Sequence, residues 1–207
     1  MNEIKLIEGN LDDLRLIYGL FQRDFAPEEL KDFGQLERLV AMGKYKLLLA
    51  YHKHFEELIG YSCIYEIEEI NALWLDYIAV DIKFRNSGYG SALFNSIASY
   101  KQEDDFLGVF LEVEIPGEED EAEQEIQKRR IRFYEKNGAA RVGIDYELPT
   151  KDGSLPMYLY FRAVGNQSML TEAKIRQAIT SAMAYIHTDI PHTNDIIRKV
   201  VKTIKQG

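Results

Sequence analysis

Arg85-Asn86-Ser87-Gly88-Tyr89-Gly90 stands between a strand-like run, Leu73 to Val80, and a helix-like run, Ser91 to Tyr100. A strand that turns through two glycines into a helix leaves several backbone N–H groups aimed one way. Such a helix start carries roughly half a positive charge and suits a phosphate. Gly88 and Gly90 let the main chain approach an anion that any Cβ would hold off, and Arg85 adds a fixed positive charge at the mouth. A tight strand-to-helix turn also uses glycine for steric reasons alone, so the pattern needs support from elsewhere in the chain. Two known phosphate loops are absent. There is no G-x-x-x-x-G-K-[ST], and the residue three beyond Gly90 is Leu93, not the third glycine of a dinucleotide fingerprint.

The spacing R-x-x-G-x-G, shortly after the strand pattern Leu75 to Val80, resembles the coenzyme A loop of the GNAT superfamily of N-acetyltransferases. A second match lies downstream, where Arg129 to Ala139 is similar to the family's helix that ends in an aromatic–tyrosine pair, Phe133-Tyr134, and then glycine, Gly138. Phe106 to Glu114 reads as the strand the family places between the two motifs. The resemblance runs from Ile4 to Ala163. It implies an α/β (α+β) fold with a mixed, mostly antiparallel central sheet flanked by helices.

Composition bounds the rest. A chain of 207 residues with 46% apolar content can bury one sizeable core, or one core and a small appendage. No run approaches the roughly 18 apolar residues of a membrane span, so no membrane partner is expected. Met1 to Lys5 lacks the apolar core of a signal peptide, and the single cysteine, Cys63, cannot form an internal disulfide; both suit a cytoplasmic protein. Cys63 lies in a strand pattern and reads as a buried structural thiol. The net charge of −9 argues against a nucleic-acid partner. From Glu172 onward six Lys/Arg face three acids, so this tail carries +3 and the remainder −12. An acidic body suits a cationic amine, though acidic balance is also ordinary for soluble proteins.

Along the chain, Ile4 to Glu8 alternates as a strand, and Asn10 caps a helix from Leu11 to about Phe25. Pro27 at a first helical position, followed by Glu28 and Glu29, starts a second helix that stops at Gly43. Tyr45 to Tyr51 and Leu58 to Ile67 form a hairpin around a polar turn at 52–57. After the glycine turn and its helix, which extends to about Gln102, come the strand Leu107 to Glu114 and the helix Glu121 to Asn137. A last hairpin, Arg141 to Leu148 with Pro156 to Arg162, closes the pattern. The tail then shows two amphipathic helices split by Pro191, which divides the chain into a domain at 1–164 and an extension at 165–207. Two short helices are marginal alone in water. They must dock on the body, pair with a second subunit as a homodimer, or serve as a partner site.

Acyl transfer from a thioester to an amine needs a proton acceptor for the amine, a proton donor for the thiolate, and a grip on the carbonyl. The resemblance assigns the carbonyl and the pantetheine arm to the backbone of Ile78, Ala79 and Val80. It lays the pyrophosphate on the amides of Arg85, Asn86, Ser87, Gly88, Tyr89 and Gly90, with Ser91 at the helix start. Tyr134 matches the family tyrosine that protonates the thiolate, and its alternative is packing. Two positions depart from the family pattern, which often has asparagine and alanine where this chain has Gln127 and Arg130. Gln127 can still bond the pantetheine amide, while Arg130 can reach a phosphate or an acid.

For the base, Asp76, Glu112 and Glu114 are candidates. Glu112 comes first, because a carboxylate on a half-buried central strand is costly unless used or paired. Its alternatives are an ion pair with Arg129 or Arg130, or a water chain with no single base. The acidic run Glu118 to Glu125 either steers a cation or simply favours a helix start. Tyr146, Tyr158 and Tyr160 either line an acceptor pocket or pack. His52, His54, His187 and His192 lack metal spacing and read as surface residues, so no metal is expected. The sequence thus points to an acetyl-CoA (coenzyme A) dependent N-acetyltransferase acting on a small-molecule or peptide amine by direct attack. Two readings stay beside it: a non-catalytic acyl-CoA sensor that uses its tail for a partner, and a larger donor such as succinyl-CoA.

Overall fold

Asn10 opens the first helix as its type leads one to expect. Its side chain accepts from the N–H groups of Asp12 (2.8 Å) and Asp13 (3.1 Å), and Asp13 reaches back to the Asn10 N–H at 2.8 Å. This reciprocal cap satisfies amides that the helix itself cannot bond. In the computed structural model, which describes residues 3–27, 29–54, 56–101, 103–118, 120–164 and 170–204, the chain forms eight strands and six α-helices among those residues. They run β1 (Ile4–Gly9), α1 (Leu11–Asp24), α2 (Phe33–Ala41), β2 (Tyr45–His52), β3 (Leu58–Ile67), β4 (Ala72–Val80), α3 (Tyr89–Ala98), β5 (Gly108–Glu114), α4 (Glu121–Lys136), β6 (Ala139–Arg141), β7 (Tyr146–Thr150), β8 (Gly153–Ala163), α5 (Glu172–Ile186) and α6 (Thr193–Lys202). Expectations that fall on Glu28, Phe55, Gln102, Glu119, Lys205 and the boundary at residue 165 lie outside the described residues. The fold class is the expected mixed α/β, with β1–β2, β2–β3, β5–β8, β6–β8 and β7–β8 all paired antiparallel.

The chain divides into two compact units. One is Met1–Glu66 with Leu75–Ile97, and the other is Ile67–Trp74 with Ala98–Gly207. In the first, β1 lies on β2 and β2 on β3, with Leu47 opposite Cys63. Leu14, Ile17 and Phe21 form the buried face of α1, and the Phe21 ring sits 4.4 Å from Tyr61 and 5.5 Å from Tyr77. Cys63 is fully buried, and burial pushes its thiol well above the ordinary range, which suits a structural role. At Gly60 of β3 an added Cβ would lie 2.3 Å from the Ala79 carbonyl oxygen, so glycine is what lets the backbone of β4 approach.

In the second unit, β5 pairs with β8 so that Phe110 faces Phe161, their rings 4.6 Å apart, and Trp74 stacks 5.9 Å from Phe110. The tail helices belong here. Ala178, Ile179, Ala182, Met183 and Ile186 of α5 and Ile196, Ile197 and Val200 of α6 are buried. Burying each large aliphatic side chain is worth about 1.5–3 kcal/mol.

Three expectations are corrected. The second helix starts at Phe33, not Pro27, because the Asp32 side chain caps it by accepting the Gln35 N–H at 2.8 Å. The strand expected from Arg141 to Leu148 is two strands, β6 and β7, both paired to β8. His187 is buried at the end of α5 instead of exposed.

Helix α6 is fastened to the β7–β8 hairpin by Lys199, whose ammonium lies 2.6 Å from Glu147. That contact, followed by the Ser154 hydroxyl, holds the Glu147 carboxyl below its ordinary 4.5. A depressed carboxyl stabilises the folded state above its ordinary pKa and stops doing so as pH falls through the folded value. Hydrogen exchange of the α6 amides is therefore expected to accelerate as pH drops below 4.5, after correction for intrinsic rates. In Lys199→Met the protection at neutral pH should already be reduced and its acid dependence flattened. An unchanged pH dependence in that variant would show that the contact contributes nothing.

Candidate active site

The segment singled out by its glycines forms a strand, a turn and a helix in the first unit. Ala79 is buried, and Ile78 and Val80 are half-buried at the end of β4. Asp81 donates its N–H to the Ile59 carbonyl at 2.8 Å, and its side chain accepts the Lys83 N–H at 3.0 Å to start one 3-10 turn, Ile82–Phe84. The chain then passes through two left-handed residues, Asn86 (φ 63°) and Gly88 (φ 84°). Asparagine and glycine are the residue types that tolerate this region. Helix α3 starts at Tyr89, anchored by the fully buried Leu93, Phe94 and Ile97, and its ladder opens with Ala92 N–H to Gly88 O at 3.1 Å. The amides of Gly88, Tyr89, Gly90 and Ser91 precede that bond, so helix geometry gives them no carbonyl within the helix. Residues Arg85, Asn86, Ser87 and Gly88 are exposed, and the Tyr89 ring meets Phe84 edge-on at 5.4 Å. Gly88 is exposed and Tyr89, Gly90 and Ser91 are half-buried, and a helix start of this kind suits an anion.

Arg85 is engaged within the protein. Its Nε donates to the Val80 carbonyl at 2.9 Å, and a terminal nitrogen lies 2.8 Å from Asp24. Asp24, its side chain only 3% exposed, also takes Arg23 at 3.0 Å and the Tyr61 hydroxyl at 3.0 Å. Arg23 in turn reaches Asp81 at 3.1 Å. Thus one buried carboxylate at the end of α1 ties together β3, the end of β4 and the glycine loop.

The remaining expected residues lie in the second unit. Tyr134 of α4 is buried at 7% exposure, and burial pushes its phenol up to about 12, with the nearby Arg130 opposing and Glu114 adding to the rise. The group therefore stays protonated at physiological pH, with its O–H available as a hydrogen-bond donor. Glu112, half-buried on β5, accepts a hydrogen bond from the Tyr146 hydroxyl. Arg130 pairs with Glu114. Gln127 accepts the Gly117 N–H at 2.9 Å and so braces the segment between β5 and α4. Among the described residues no group of three His, Cys, Asp or Glu side chains is placed to hold a metal ion. No helix among them is long and apolar enough to cross a membrane.

Asp76, the other base candidate, is buried in the first unit. It takes Lys31 at 3.0 Å and the Tyr45 hydroxyl, while the Lys31 ammonium lies 4.9 Å from the centre of the Tyr77 ring. Neither Tyr146 beside Glu112 nor Lys31 beside Asp76 was legible in the sequence. Each partner is more than 30 residues away in the chain, and no local spacing announces it. Of the last-hairpin tyrosines, Tyr146 packs on Trp74 (6.1 Å), Tyr158 lies under Arg141 (3.6 Å to the ring centre) and Tyr160 bonds Glu135 at 3.1 Å.

Comparison with known proteins bears on this arrangement. A family model described as "Acetyltransferase (GNAT) domain" matches residues 43–138, a span that contains both the glycine loop and the Tyr134 helix. No curated protein sequence matches the chain. Among solved structures, a Bacteroides thetaiotaomicron protein assigned to the GNAT acetyltransferase family superposes with a TM-score of 0.69 at 22% identity, covering 87% of this chain and 98% of its own. A spermidine N-acetyltransferase from Vibrio cholerae, solved as a dodecamer, gives 0.56 at 16% identity over 78% and 93%. NAA60 from Arabidopsis thaliana, solved with a bisubstrate analogue, gives 0.57 at 18% identity over 80% and 100%. At such identities the structures speak for the fold, and the family model speaks for the domain. Residues 43–138 of this chain are thus similar to the GNAT acetyltransferase domain, and the fold around them is the one these structures share.

Proposed function

We propose that the chain transfers an acetyl group from acetyl-CoA to a primary amine by direct attack. The observation that carries this reading is the start of α3 just past β4, entered through the left-handed Asn86 and Gly88. In this reading those amides, with Arg85, Asn86 and Ser87 shaping the loop, take the pyrophosphate. The backbone of Ile78, Ala79 and Val80 takes the thioester carbonyl and the pantetheine arm, and Gln127 adds a polar contact. Glu112 accepts the amine's proton, the nitrogen bonds the acetyl carbon, the carbon–sulfur bond breaks, and Tyr134 protonates the leaving thiolate. Neither a covalent enzyme intermediate nor a metal is required.

The acceptor is a small-molecule or peptide amine. The acidic body and the spermidine N-acetyltransferase among the structural neighbours make polyamines the first class to assay. The proposal places the protein in the cytoplasm, in keeping with its single, buried cysteine, and allows a homodimer, which light scattering measures.

Thiol release from acetyl-CoA across a panel of amines tests the reading. Turnover with at least one amine supports the enzyme. Tight coenzyme A binding with no release from any amine would turn the assignment to a sensor. Succinyl-CoA in parallel settles the donor.

Tyr134→Phe is expected to lower kcat about a hundredfold or more with coenzyme A affinity unchanged by calorimetry. A loss of affinity instead would assign the tyrosine to packing. Asp24→Asn, which frees Arg85 from its buried partner, should weaken coenzyme A binding about tenfold. Arg85→Ala should do the same, and the double variant no more than either, since both act through one contact.

A further inference from the structure

Glu112 has a partner that is itself held by the last helix of the chain. Tyr146 of β7, 2% exposed, sets its ring 6.1 Å from Trp74 and donates its hydroxyl to the Glu112 carboxylate. The residues on either side of it are fastened to α6. The Asp145 N–H is 3.2 Å from the Thr203 hydroxyl, and Glu147 takes Lys199 at 2.6 Å and the Ser154 hydroxyl at 2.6 Å. A third tie joins His192, at the start of α6, to the Gly153 carbonyl at 2.9 Å in the turn of the same hairpin. Helix α6 is anchored in turn by Ile196, Ile197, Val200 and Ile204, all buried. A phenol at the end of a strand keeps or loses such a bond over a few tenths of an ångström, so the ties on both sides of Tyr146 decide whether it stays on the carboxylate.

We propose that Tyr146 is a positioning residue for Glu112 and that α6 clamps β7 to keep it there. The inference rests on the N-acetyltransferase reading, in which Glu112 takes the amine's proton. A hydrogen bond donated to a carboxylate favours its charged form and so lowers the pH above which it can act as a base. The tail helices, which lie outside the span matched by the family model, thereby take part in setting the pH at which the domain works.

The full-length protein labelled with carbon-13 in glutamate carboxyls provides a readout that does not depend on turnover, with Glu112→Gln assigning the signal. Tyr146→Phe is expected to raise the Glu112 titration midpoint by about half a unit to one unit. The acid limb of kcat/KM should move the same way, with the plateau at high pH retained. The double variant Lys199→Ala, Thr203→Val, which leaves the phenol in place, should move the midpoint in the same direction by a smaller amount. An unmoved midpoint in Tyr146→Phe, together with a loss of kcat/KM equal at every pH, would overturn the proposal and leave Tyr146 as a packing residue. A shift in Tyr146→Phe with none in the double variant would overturn the part assigned to α6. Full activity in Glu112→Gln beside a shifted midpoint in Tyr146→Phe would sink the base assignment while the contact itself stands.

Discussion

The buried carboxylate of Asp24 is the constraint from which the geometry of the loop follows. At 3% exposure its charge cannot be left uncompensated. Three donors meet that demand: Arg23 from its own helix, Tyr61 from β3, and Arg85 from the glycine loop. Arg85 also closes on the Val80 carbonyl, so the arginine that enters the loop is held at both ends. Asn86 and Gly88 can then spend their left-handed conformations on turning the chain into α3. Gly60 serves the same end from below. A side chain there would displace the Ala79 carbonyl, and with it the end of β4.

Features set by neighbours in sequence were legible in advance, and those set by distant partners were not. The Asn10 cap, the helix stop at Gly138 and the turn at Gly88 were read correctly because each depends on the conformation of a few adjacent residues. The start of α2 was misread because two local signals competed. Pro27 favours a first turn, but Asp32 supplies a side-chain acceptor for an amide that would otherwise go unbonded, and the capping bond prevails. The split of the last hairpin into β6 and β7 went unseen because Val142 to Asp145 carries apolar residues at strand-like spacing without extending the ladder. Arg85 was read as a charge at the mouth of the loop. Its actual partner lies 61 residues earlier, beyond any reading of spacing.

The three carboxylates proposed as base can be ranked by what each must give up on taking a proton. Asp76, 4% exposed, would abandon a buried lysine at 3.0 Å. Breaking such a pair costs about 3–5 kcal/mol. Glu114 is held by the guanidinium of Arg130, an ion pair it would give up on taking a proton. Glu112 bonds a phenol. A neutral donor stabilises the carboxylate by about 0.5–1.5 kcal/mol, enough to orient it without the pull of a full positive charge. Among these contacts Glu112 gives up the weakest, and on that ground it is the carboxylate proposed as base.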